Sequence, residues 1–289
     1  MKCKTIWNTF TVGLLLASGN AAIAEADEAN TLSPVSVGLE LNSSTTKYAL
    51  DAASGDPTYA FLQNSSTKLL MEEALIRIGY KLSPAFEFHG ILGTARPESG
   101  DMFLLGPRDG LVFGAGMSAS PLSDSTWKSN FGLEVTHTNV KDSRGSEEVT
   151  GYFIVETVNG LATVPFNGIA TGNAELQLTK IELSALATYK TGFTEPYIGA
   201  LYSIASGTLK TQLLNLRAFI CQSPSDPCSE LNAVPLNSDG DQKKQEISLD
   251  SQLGLTLGFN AHVTDAMNIG FGAIVGTRTQ YSAHVEYSF

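Results

Sequence analysis

Hydrophobic and polar positions alternate along this chain in segment after segment, and the last nine residues do so without a break. Tyr281, Ala283, Val285, Tyr287 and Phe289 are apolar or aromatic, and the residues between them are polar or charged. A period of two puts one face of a strand in an apolar medium and the other in water. The same period recurs over 34–48, 67–82, 86–94, 110–120, 126–138, 176–190, 196–206, 247–260 and 267–276, whereas no helical period runs far. The clearest case places Ile247, Leu249, Ser251, Leu253, Leu255, Leu257 and Phe259 on one face. That run exceeds the five or six residues usual in a soluble strand and suits a tilted membrane strand of about 9–11 residues.

These segments predict an all-β fold: a transmembrane antiparallel up-and-down β-barrel of about ten strands. Ending on an aromatic strand, with Tyr281, Val285, Tyr287 and Phe289 outward, the chain resembles the C-terminal targeting strand of Gram-negative outer-membrane barrels, and that resemblance implies recognition by the barrel-assembly machinery. Tracing back from a periplasmic Phe289 alternates short turns (83–85, 121–125, 191–195, 261–266) with long polar connections (49–66, 95–109, 139–175, 207–246). Short periplasmic turns, long extracellular loops and an even strand number are what such barrels show. Aromatic girdles are expected at both interfaces. Tyr80, Phe86, Trp127, Tyr189, Phe193, Tyr197, Phe259 and Phe289 supply the periplasmic one, and Tyr48, Phe113, Tyr202 and Tyr281 a thinner outer one. Residues 147–170 leave two readings. Asn159-Gly160 between apolar runs signals a hairpin, either projecting from a long loop or adding two spanning strands to make twelve. Pro165 argues against a central strand there.

The N-terminus fits export. Lys2 and Lys4 precede an apolar run from Phe10 to Ala17, and Ala22-Ile23-Ala24 precedes Glu25, the layout of a secretory signal peptide over residues 1–24. A short acidic segment, 25–33, then leads into a single barrel domain, 34–289. The net charge of −11, or −13 without Lys2 and Lys4, makes nucleic acid an unsuitable partner. Cys221 and Cys228 flank a Ser/Pro/Asp segment, and an oxidising compartment would join them in a disulfide. A metal site there is the poorer reading, since no histidine or further cysteine lies close in sequence.

The inward register collects a mixed charged set: Glu40, Glu73, Arg77, Lys81, Glu87, Lys128, Glu134, Glu182, Lys190, Asp250 and Glu286. Two readings stand. Opposite charges pair inside a narrow, filled lumen, or they line a small path for solutes or ions. The histidines, His89, His137, His262 and His284, sit in no nucleophile or metal motif. Neither catalysis nor a cofactor is therefore expected, although His137 on the lipid face is where a lipid hydrolase would hold a base. The long loops offer a third role, binding an extracellular ligand or partner.

Local matches add a family. Ile78-Gly79-Tyr80-Lys81-Leu82-Ser83-Pro84, followed by Phe86-Glu87-Phe88-His89-Gly90, resembles the second hairpin of opacity-like and chlamydial major-outer-membrane-like proteins. Phe193-Thr194-Glu195-Pro196-Tyr197-Ile198-Gly199-Ala200-Leu201-Tyr202-Ser203 resembles their F-x-P-Y-[IV]-G-x-x-[WY]-S hairpin, with one extra residue before the proline. Ala283–Phe289 fits their closing strand. The matches span about a third of the chain. The resemblance implies an outer-membrane barrel with a porin or structural role. Chlamydial major proteins are longer and cysteine-rich, so a trimer and disulfide cross-linking do not carry over.

Overall fold

The computed structural model describes residues 34–50, 66–83, 85–99, 108–124, 126–157, 160–220, 229–234, 243–276 and 278–289. The expected signal peptide, the acidic segment 25–33 and the Cys221–Cys228 pair lie outside the described residues. Those residues form eleven strands and no helix. They are β1 (Val35–Leu50), β2 (Ser66–Ser83), β3 (Phe86–Ser99), β4 (Gly110–Ala119), β5 (Trp127–Thr157), β6 (Gly160–Tyr189), β7 (Thr194–Ile220), β8 (Ser229–Val234), β9 (Lys243–His262), β10 (Met267–Gly276) and β11 (Arg278–Ser288).

Every strand pairs antiparallel with its neighbour, and β11 returns to β1 from Ser36↔Ser288 to Thr46↔Arg278. β9 pairs with β7, which leaves β8 beside the far end of β7 and outside the ring. Ten strands therefore close the barrel. The question over 147–170 is settled by one continuous ladder between β5 and β6, from Trp127↔Tyr189 to Thr157↔Gly160. These residues prolong two spanning strands beyond the rim and do not add an eleventh and twelfth. Pro165 pairs with Tyr152, while β6 meets β7 only as far as Asn167↔Phe219. Its missing N–H thus falls where β6 has no β7 partner, the place a strand tolerates proline.

The ring changes width along its axis. The β10–β11 hairpin stops near Gly276 and Arg278, and beyond it β1 and β9 pair directly at Ala49↔Ser248 and Leu50↔Ile247. The circuit through these two rungs holds eight strands, not ten. A ring of about eight strands is just wide enough for side chains to fill.

Outward positions follow the predicted parity on most strands. Ile76, Ile78, Tyr80, Leu82, Phe88, Leu92, Leu111, Phe113, Phe131, Leu183, Ile198, Leu253 and Phe271 are all exposed on the outer wall. At the end of the short turns Trp127 packs on Tyr189, Phe86 on Phe88, and Tyr287 on Phe289, with ring centroids 4.9, 4.9 and 5.0 Å apart. Two expected girdle members point the other way. Tyr48 is inside, 5% exposed, and Tyr197 shares the inward parity of Gly199 and Ser203.

β9 departs most from its predicted face. Leu253, Leu255, Leu257 and Phe259 point outward, but Ile247 and Leu249 are buried inside, 2% and 4% exposed. A register shift between Ser203 and Ala205 on β7, opposite 249–252 of β9, switches the parity. A bulge inserts one residue into a strand and exchanges its faces beyond that point.

The short turns are held by polar contacts. Asp124 accepts N–H bonds from Thr126 and Trp127 at 2.7 and 2.6 Å. Those backbone donors, Trp127 first, hold its carboxyl below the usual carboxylate range. Lys190, expected in the lumen, instead donates to Ser123 Oγ and Asp124 O across this turn. The β6–β7 turn places Gly192 at φ +89°, a left-handed conformation that glycine adopts at no steric cost.

Candidate functional site

The inward faces build a lumen of three layers. At the end of the short turns lies an open vestibule of about 700 Å³. Lys81, Glu87, Lys128 and Glu286 line it, all four being predicted lumen residues, together with Glu195, His262 and His284. None of these four forms an ion pair among the described residues. His262 meets Glu195 at 3.3 Å.

Two glycines keep this layer open. A Cβ on Gly270 would lie 2.1 Å from His284 Cε1, and one on Gly116 would lie 2.4 Å from His89 Nε2. Each imidazole therefore lies against a bare stretch of wall, its cross-strand partner being glycine (His284↔Gly270, His89↔Gly116). Close approach of this kind is a reason for glycine inside a strand.

Above the vestibule the charges pair. Arg77 bridges two carboxylates: Nε donates to Glu40, and Nη1 donates to Glu134 Oε2 at 2.6 Å. His89 Nε2 lies 3.0 Å from Arg77 Nη1 and 3.6 Å from Glu134. A second cluster centres on Glu182. Lys180 lies 3.3 Å from it, Ser203 Oγ donates to it at 2.8 Å, and Arg278 donates from Nη1. Glu73 accepts from Asn42 Nδ2 at 3.4 Å, and Asn42 Oδ1 accepts from Gln280 at 3.3 Å. Both clusters border an inner cavity of about 240 Å³.

Opposite charges from strands far apart in sequence thus meet at one level. An isolated ion here is costly to desolvate, and a hydrogen-bonded partner offsets that cost.

The outermost layer is apolar. Tyr48, Leu50, Leu69, Met71, Leu75, Ile91, Val112, Val140, Leu176, Leu178, Leu209, Ile247 and Leu249 form one buried cluster. Val140, Leu176 and Leu209 stand abreast on β5, β6 and β7, at most 1% exposed. This plug occupies the part of the barrel where β1 and β9 close the narrower ring.

The structure brings together Glu40, Arg77 and Glu134, with Glu73 and Glu182 at the same level. It places Lys81, Glu87, Lys128 and Glu286 below them in the vestibule. Lys190 belongs to a turn, and the Asp250 side chain lies outside the described residues. Three partners were missing from the predicted charged set. Lys180 has the inward parity of Glu182 and was legible from it. His89 has the parity of Glu87. Arg278 falls before the predicted start of the last strand, so only the longer β11 reveals it.

His137 faces outward, with Nδ1 3.0 Å from Thr179 Oγ1 and its ring 5.1 Å from that of Phe113. Among the described residues no group of three His, Cys, Asp or Glu side chains could hold a metal ion.

Closed ladder, apolar outer wall and polar-to-ionic lumen define a transmembrane β-barrel. No known protein family matches the sequence, and no curated protein matches it. Solved structures that align with it include the translocator domain of the autotransporter NalP from Neisseria meningitidis, at 10% identity over 98% of this chain and 96% of that one, TM-score 0.39. The outer membrane protease OmpT from Escherichia coli aligns at 10% identity over 91% and 99%, TM-score 0.39. The β domain of the Bordetella autotransporter BrkA aligns at 14% identity over 88% and 100%, TM-score 0.32. The barrel assignment rests on the closed ladder and the apolar wall of this chain.

Proposed function

We propose that this chain is an integral outer-membrane barrel whose lumen is closed, and that it acts through the surface it raises beyond the outer rim. The observation that carries this reading is the apolar plug: more than a dozen inward side chains pack where a pore would need water. Non-polar constrictions resist hydration. The aromatic ends of the strands and the signal-peptide-like N-terminus support the outer membrane as its location.

Beyond the rim, β5, β6, β7 and β8 continue as one sheet through the ladders ending at Thr157↔Gly160, Asn167↔Phe219 and Ile220↔Ser229. A continuous sheet of this kind suits contact with an extracellular partner or another cell surface. The reading assigns no catalysis. Arg77, Glu40, Glu134 and His89 are engaged with one another, and no seryl or cysteinyl nucleophile is hydrogen-bonded to a histidine among the described residues.

Fractionation and swelling assays test both halves of the proposal. The chain is expected with the outer membrane, migrating faster unheated than heated on SDS gels. Liposomes loaded with it should not swell in small sugars. Recovery as a detergent-free soluble protein removes the barrel, and rapid swelling removes the closed lumen.

A specific observation favours a second, porin-like reading. The vestibule presents unpaired charges of both signs to the periplasm, as the entrance to a narrow path for small ions would. Conduction then requires the plug to move.

A further inference from the structure

We propose that the outer wall over β1, β2 and β11 binds one phosphorylated glycolipid of the outer leaflet, with Lys47 and Lys68 as its phosphate ligands. This rests on the reading of the chain as an outer-membrane barrel. Lys47 and Lys68 are directly opposite in the β1–β2 ladder, and both are exposed. Neither ammonium group is ion-paired among the described residues. Like charges directly opposite on neighbouring strands repel, so the pair calls for an anion between them. A phosphate with several acceptor oxygens accepts from two ammonium groups at once.

What lies along the same strands says which anion. Down β1 the outward positions are Thr45, Ser43 and Leu41, and their β11 partners are Thr279, Tyr281 and Ala283. Four hydroxyl groups thus follow the lysines. Next comes a groove of about 390 Å³ in the outer wall, lined by Leu41, Ala74, Phe271, Tyr281 and Ala283 and, on its other side, by Glu72, Arg96 and Asp109. Cation, hydroxyl and apolar tiers run in the order of phosphate, sugar and acyl chain in an amphiphilic glycolipid. A free phosphate would use only the first tier.

The nearby acids do not cancel the lysines. Asp109 holds Arg96 through two hydrogen bonds, and Glu72 stands opposite Arg96 in the β2–β3 ladder. Glu98, opposite Leu70, is a diagonal neighbour of Lys68 and forms no ion pair with it.

The test is native mass spectrometry of the full chain folded in detergent, titrated with phosphorylated lipid A, dephosphorylated lipid A or inorganic phosphate. One phosphorylated lipid A should remain bound. The Lys47→Gln/Lys68→Gln double variant should bind it about tenfold more weakly, the scale of losing charge-assisted hydrogen bonds. The Lys47→Arg/Lys68→Arg variant should retain it, and Lys128→Gln in the vestibule should leave it unchanged. Heat-modifiable migration confirms that each variant is folded. Equal retention of dephosphorylated lipid A, equal binding by the glutamine variant, or protection by inorganic phosphate alone would each overturn the site. Because binding is read in detergent, its failure leaves the membrane assignment intact, and fractionation decides that separately.

Discussion

Leu176→Ala tests the plug most simply. Leu176 is fully buried between Val140 and Leu209 on the adjacent strands. The substitution removes three carbons. At about 0.8 kcal/mol per buried methylene the transfer loss is about 2.4 kcal/mol. An unrelaxed cavity raises the cost to about 3–5 kcal/mol, and ladders on both sides of β6 leave the site little freedom to collapse. Leu183→Ala is the internal control. Leu183 lies on the same strand but faces outward, 47% exposed, where lipid chains refill the space and no cavity persists. Urea unfolding from lipid vesicles, followed by Trp127 fluorescence, should therefore show Leu176→Ala costing about 1–2 kcal/mol more than Leu183→Ala. Equal costs would mean that the outer half of the lumen is not packed, and the closed-barrel reasoning would fail.

Other consequences follow from particular contacts. Arg77→Met leaves Glu40 and Glu134 facing one another without their shared cation, and equilibrium unfolding should register a loss of about 3–5 kcal/mol. The added replacement of both glutamates by glutamine should recover much of it. Gly116→Val puts side-chain atoms where the His89 ring lies, so that ring must leave the wall and its contact with Arg77; overpacking of this kind costs about 1–3 kcal/mol, and a crystal structure showing the ring unmoved contradicts the account. Asp124 has a lowered folded-state pKa, so its hold on the turn is fully present above the unfolded value of about 3.9 and is lost as pH falls through the lower folded value. A carboxyl titration by NMR should give a midpoint below that of Asp124 in the urea-unfolded chain, and an equal midpoint would dismiss the two N–H bonds.

The ten spanning strands and most of their outward faces were legible because lipid and water impose a strict period of two. The signal failed where the lumen itself turns apolar. On β9, Ile247 and Leu249 extend the alternation of Leu253, Leu255 and Leu257 in the sequence, yet a bulge sends them inside, where hydrophobic side chains are equally welcome. Tyr48 misled for the same reason, an aromatic near the rim that fills the plug. Charge pairing was only half legible. Parity put Glu40, Arg77 and Glu134 on the inner face, but which strands bring them to one level depends on shear around the ring. The narrowing where β1 meets β9 had no local signature, since it follows from the β10–β11 hairpin being shorter than its neighbours. Lys190 was misplaced by one position, the difference between the last inward rung and the turn.

Single-channel recording in planar bilayers tests the closed lumen most directly. The folded chain should give no reproducible conductance steps, whereas a variant with Leu75, Leu176, Leu209 and Ile247 all replaced by alanine should give them. Regular steps from the unaltered chain would contradict the account and favour the porin-like reading.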